Sequence, residues 1–136
     1  MKHGNVIWFE IPAKNLDRAI KFYSEVLGVT ITKQKLHKTD YGVFDKKKIG
    51  IGGVIVERPE KAGVGVSLFF FVNVLSDALD IALADGGKII TPKMLLKQTN
   101  AEGKVTLAQN LIDNQVGYFS EILDSEGNQI ALYSHY

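Results

Sequence analysis

Two carboxylates stand inside stretches that are otherwise apolar or aromatic: Glu10 in VIWFEIP and Glu121 in YFSEIL. A carboxyl group enclosed by apolar side chains is pushed towards its protonated form, and a second acid nearby pushes it further, which suits it to general acid or base work. Other chemistries have less to draw on. With 0 Cys the chain has no disulfide, no thiolate nucleophile and no thiolate metal site. His3 and His135 lie at the termini and His37 in a strand connection; no two have the helical or strand spacing of a ligand pair, so all three read as ordinary surface residues. No Ser stands in a nucleophile motif with a His. Gly50, Gly52, Gly53, Gly63 and Gly65 join no strand to a helix, as a phosphate loop would.

The bulk properties narrow the setting. A chain of 136 residues fits one domain with a sizeable core. Its 16 Lys+Arg balance 15 Asp+Glu, so there is no charge pattern for nucleic acid or a polybasic membrane patch. No apolar run approaches the roughly 20 residues of a membrane span, and Met1–Asn5 is too short and polar for a signal peptide. The expectation is a soluble, cytoplasmic protein with a small-molecule partner, neither nucleic acid nor membrane.

The elements that must hold these residues repeat. Asn5–Ile11 is a strand whose odd members Ile7, Phe9 and Ile11 are apolar, while the even ones, Val6, Trp8 and Glu10, mix apolar with acid. Asn15 is placed to cap a helix with Leu16, Ala19, Ile20, Tyr23 and Leu27 on one stripe, closed by Gly28. Thr30–Leu36, Tyr41–Phe44 and Ile49–Val56 read as antiparallel strands, with Lys46–Lys48 as a hairpin tip. Glu57–Gly65 reads as a linker.

The order then returns: a strand Val66–Asn73, a helix capped by Ser76 with Ala78, Leu79 and Ala82 inside, a stop at Gly86-Gly87 and a short strand Lys88–Thr91. Aligning Gly28 with Gly87 puts Leu16 on Leu75, Ala19 on Ala78 and Ile20 on Leu79. Pro92–Val116 has no clear period beyond a turn at Ala101–Lys104 and reads as a partly ordered lid. A hairpin, Tyr118–Leu123 and Gln129–Ser134, closes the chain, with Gly127 where positive φ is needed.

Two βαβββ halves, LDRAIKFYSEVLG after the first strand and the closing LDSEGNQIALYS together resemble the vicinal oxygen chelate superfamily, which includes glyoxalase I, bleomycin-resistance proteins and extradiol dioxygenases. WFEIP and GYFSEILDSEGNQIALYS are most similar to its uncharacterised glyoxalase-related branch. The resemblance implies an α+β fold in which the two modules, at about 5–57 and 66–134 with a linker at about 58–65, form one domain with a cupped mixed sheet, helices outside and ligand inside. It also implies a homodimer.

Family enzymes hold a divalent metal with His, Gln or Glu from four strands. Carried over, those places fall on Val6, on Ser67, on Ala131 and among Val54, Ile55 and Val56 unless the register slips to Glu57. Such a set would not hold a metal, so no metal and no cofactor is expected. The same correspondence turns Trp8, Glu10, Phe69, Phe71, Phe119, Glu121 and Tyr133 into the cup, with Tyr41 or Phe44 added from the first half, and turns Phe70 towards the helices. The functional expectation is a metal-independent binder that sequesters or senses a small organic molecule in an aromatic pocket. The alternative is a glyoxalase-related lyase or isomerase using Glu10 or Glu121 as acid or base, or a metal site in an unrecognised register. Plainer roles compete with both: an ion pair for Glu10, a solvated rim for Glu121, and core packing for the aromatics.

Overall fold

The computed structural model describes every residue except 37, 97, 100–104 and 107–109, and the backbone alone at 98, 99, 105 and 106. The fold is α+β, and its element order is βαβββ twice over, with a one-turn helix added in the first half and a two-stranded ribbon in the second. Each half carries four main strands that pair in both parallel and antiparallel fashion. Contacts divide the chain into two compact units: Trp8–Val66, and Ser67–Tyr136 together with Met1–Ile7. None of the described helices is long and apolar enough to cross a membrane.

The first half runs β1 (Val6–Ala13), α1 (Leu16–Leu27), β2 (Ile31–Leu36), β3 (Thr39–Phe44), α2 (Lys46–Ile49) and β4 (Gly52–Glu57). Its strands lie in the order β2-β3-β4-β1, antiparallel except for the parallel β4–β1 pair. Asn15 Oδ1 accepts from the Arg18 N–H at 2.9 Å, and Gly28, at φ 64°, ends α1 in the left-handed conformation. Ala13, Leu16, Ile31, Phe44 and Ile55 form the core under α1, joined by Phe9, Ile11, Ala19, Ile20 and Tyr23. Each large apolar side chain so buried contributes about 1.5–3 kcal/mol. Lys46–Lys48 is exposed at the tip of the antiparallel β3–β4 hairpin, as expected, but is wound into the one-turn α2. Asp45 makes the difference, its carboxylate accepting from the Lys47 N–H at 3.1 Å, and Gly50 closes the turn at φ 93°.

The second half runs β5 (Ser67–Phe71), α3 (Leu75–Ala84), β6 (Lys88–Leu95), the ribbon strands β7 (Gln98–Thr99) and β8 (Val105–Thr106), then β9 (Tyr118–Leu123) and β10 (Gln129–Ser134). Its main strands lie in the order β5-β10-β9-β6. Val72, Leu75, Leu79, Ile122 and Leu132 form the core under α3, with Phe70, Ala78 and Ala82 against it. The internal repeat is therefore physical: Leu16 and Leu75 begin their helices at equivalent places, and both are buried.

Several boundaries differ from expectation: β1 continues through Pro12 to Ala13, Ile49 ends α2 so that β4 begins only at Gly52, and β5 is confined to Ser67–Phe71. Val74, not Ser76, is the N-cap of α3 and gives no side-chain bond; the carbonyl of Tyr136 accepts from the Leu75 N–H at 3.2 Å instead. The strand expected at Lys88–Thr91 continues to Leu95, because register shifts on either side of Thr91 let Pro92 sit in a terminal strand of its half. The turn expected at Ala101–Lys104 lies outside the described residues.

The first residues of the chain belong with the second unit. Gly4 N–H donates to Phe71 O at 2.7 Å, and Phe71 N–H donates to Asn5 O at 2.9 Å.

Candidate functional site

Register decides which side chains share a face. In the first unit Trp8 pairs with Gly52, Glu10 with Val54, and Val43 and Tyr41 with Val54 and Val56. Phe9, Ile11 and Ala13 pack under α1, so alternation turns Trp8, Glu10, Tyr41, Val54 and Val56 to the opposite, helix-free face. A Cβ on Gly52 would come within 2.5 Å of the Trp8 ring, so the indole lies against bare backbone. On the other face Phe9 covers Gly53 in the same way. The Trp-Phe and Gly-Gly dipeptides of neighbouring strands are thus fitted to one another.

Glu10 is the polar group of that face. Its side chain is 16% exposed, and its Oε2 lies 3.7 Å from Arg58 Nη1. The ion pair weighed from the sequence is present. Arg58 is held beside it because its own N–H donates to Ala13 O at 3.0 Å. Burial pushes the Tyr41 hydroxyl above the ordinary phenol range, and the negative charge of Glu10 adds to this. Phe44 stands elsewhere. It is buried in the core under α1, with ring centroids 5.1 Å from Phe9 and 5.9 Å from Tyr23.

In the second unit Phe69 pairs with Ala131 and Phe71 with Tyr133, while Glu121 and Phe119 pair with the same two residues from the other side. These side chains share the face away from α3. Phe69, Phe71 and Tyr133 are buried there, and Phe119 and Glu121 are half-buried. Glu121 accepts a hydrogen bond from the Thr91 hydroxyl at 2.9 Å. Lys93 is occupied with Tyr118, its ammonium 4.7 Å from the ring centroid.

A polar chain that sequence reasoning missed runs through the same unit. Asn110 Nδ2 donates to the Tyr133 hydroxyl at 2.8 Å, and that hydroxyl donates to Asp113 Oδ1 at 2.8 Å. The other oxygen of Asp113 lies 2.6 Å from His135 Nε2. Burial drives the Tyr133 hydroxyl well above its ordinary range; the carboxylate of Asp113 adds to the rise and the Asn110 bond opposes it. His135 is thus a tethered residue and not a loose terminal one. His3 accepts from the Asn73 N–H at 3.1 Å through Nδ1, and His37 lies outside the described residues. Among the described residues, no group of three or more His, Cys, Asp and Glu side chains could hold a metal ion.

Comparison with known proteins identifies the architecture. The family model for the Glyoxalase/Bleomycin resistance protein/Dioxygenase superfamily matches residues 5–132. A search of the curated proteins finds no match. Among solved structures, a glyoxalase/bleomycin resistance protein/dioxygenase superfamily member from Vibrio splendidus 12B01 is similar with TM-score 0.60 at 13% identity, over 98% of this chain and 99% of that one. The methylmalonyl-CoA epimerase of Mycobacterium tuberculosis is similar with TM-score 0.58 at 13% identity, over 98% and 88%. A variant of the Streptomyces coelicolor methylmalonyl-CoA epimerase, in complex with 2-nitronate-propionyl-CoA, is similar with TM-score 0.58 at 14% identity, over 98% of both chains. At such identities the likeness is one of fold.

Proposed function

The chain belongs to the Glyoxalase/Bleomycin resistance protein/Dioxygenase superfamily, and on that premise we propose that it binds a small organic molecule without the divalent metal of the family's enzymes. The observation that carries this reading is the chemistry of the donor set. Where the resemblance calls for imidazole, amide or carboxylate ligands, the chain has Val6, Ser67, Ala131 and the Val54–Val56 stretch. A lone hydroxyl among aliphatic groups does not fit a divalent ion. Glu57 offers no substitute: its register partner is Ala13, which packs under α1, so it alternates to the face opposite Glu10.

What remains on each helix-free face is an aromatic surface with few polar groups, the usual composition of a small-ligand site. Trp8, Glu10 and Tyr41 supply it in one unit, and Phe69, Phe71, Phe119, Glu121 and Tyr133 in the other; Phe44 has no part in it. In the same reading the protein acts as a cytoplasmic homodimer, for which a cysteine-free chain is suited to a reducing compartment. Light scattering on the purified protein reads the oligomeric state.

The test combines metal analysis after dialysis with a thermal-shift screen of metabolites. Acyl-CoA esters belong in that screen, since epimerases that take them share this fold. The expected result is a metabolite that raises Tm in metal-free protein, because a ligand selective for the native state stabilises it by mass action. A one-to-one divalent ion that survives dialysis overturns the reading.

A second reading, a lyase or isomerase, is favoured by one observation: Glu121 is half-buried with the Thr91 hydroxyl directed at it. Under that reading Glu121→Gln abolishes turnover of a ligand found in the screen and leaves its binding intact.

A further inference from the structure

We propose that a cleft beside the start of α1 is a separate binding site, for a small monocarboxylate with an apolar or aromatic body. The cleft has a volume of about 450 Å³ and lies wholly within the first unit. Ligand sites commonly fall between about 300 and 1,000 Å³. Its apolar wall is built from Ile11 at the end of β1, Ala19, Phe22 and Tyr23 on α1, and the turn at Ala62-Gly63. Phe22 is 57% exposed, with its ring edge-to-face on Tyr23 at 5.2 Å. It therefore keeps a large apolar surface in water, which a ligand body would cover.

Charge selects the other end of that ligand. Lys14 and Arg18 line the same cleft, and among the described residues neither has an ion-pair partner. The acid in the same turn, Asp17, is held by Lys33 at 3.1 Å and does not neutralise them. The positive end of the α1 dipole adds to the field of the two cations. One charged end and one apolar end are thus specified together. In this arrangement the wall and the cations both contribute affinity, and the cations also set orientation. The cleft includes none of Trp8, Glu10 and Tyr41, so it stands or falls independently of the proposed function.

The test is a titration of the ¹⁵N-labelled full chain with octanoate, compared with octanol. Saturable shifts are expected at Lys14, Arg18, Ala19, Ala62 and Gly63, with octanol binding at least several-fold more weakly. Lys14→Glu together with Arg18→Glu should weaken octanoate at least tenfold, and Phe22→Ala should weaken octanoate and octanol alike. Shifts confined to Trp8, Glu10 and Tyr41, shifts that never saturate, or equal affinity for octanoate and octanol each overturn the proposal. The octanol comparison uses the unaltered protein, so it decides the matter even if the double variant does not fold.

Discussion

The phenol of Tyr133 occupies the space that a side chain at position 117 would need, so Gly117 is the residue that lets the hydroxyl reach Asn110 and Asp113. Gly117→Ala should push the ring off this site and break the polar chain. Overpacking of this kind costs about 1–3 kcal/mol, read as a lower urea midpoint. An unchanged midpoint would mean that the ring and the backbone at 117 are not in contact.

Gly52→Ala tests the fit of the other aromatic. The chain has 1 Trp, so fluorescence reports Trp8 alone. Displacing the indole from the Gly52 backbone should shift its emission to the red and lower stability by about 1–3 kcal/mol. Emission and midpoint equal to those of the parent protein would show that the indole does not lie there.

Alkaline pH should destabilise the protein through its buried phenols. The pKa values of Tyr133 and Tyr41 are raised in the folded state, mainly by burial. The folded chain therefore keeps protons that the unfolded chain gives up above a pKa of about 10. Stability is complete below that pH and is lost as pH rises through the folded values. Urea midpoints from pH 8 to 11 should fall at the upper end, and Tyr133→Phe should fall less steeply than the parent. Equal slopes would remove Tyr133 from the account.

Acid should act on the closing turn. Asp124 is held below the ordinary carboxylate range, chiefly by the Asn128 N–H at 2.8 Å, with the Glu126 N–H at 2.9 Å also donating. A depressed carboxylate adds stability above its unfolded pKa, near 4, that disappears as pH falls through the folded value. Thermal melts between pH 3 and 6 should show a shallower acid loss in Asp124→Ala than in the parent. Identical acid profiles would contradict this.

The sequence was most legible where one local rule governed. Alternation in β1 separated Phe9 and Ile11 from Trp8 and Glu10, and Asn15 and Gly28 marked both ends of α1 through capping chemistry. It was less legible where partners are distant. Ser76 looked like a cap, but the backbone of Tyr136, far along the chain, meets the Leu75 N–H. Asp45 made a helix of three lysines that a polarity pattern assigns to a turn. The Asp113–His135 contact joins a stretch without periodicity to the chain end, and no spacing rule brings the two together. Phe44 was ambiguous because it and Tyr41 alternate differently along β3: Tyr41 faces away from α1 and Phe44 faces it.

Because Gly4 and Asn5 exchange backbone bonds with Phe71, the second half is finished by residues that stand before the first half in the chain. A protease cut in the turn near Gly63 would therefore not release two self-sufficient pieces. The amino-terminal fragment would carry away the stretch that Phe71 binds, and the remainder would be left with a raw strand edge, open to pairing with another chain.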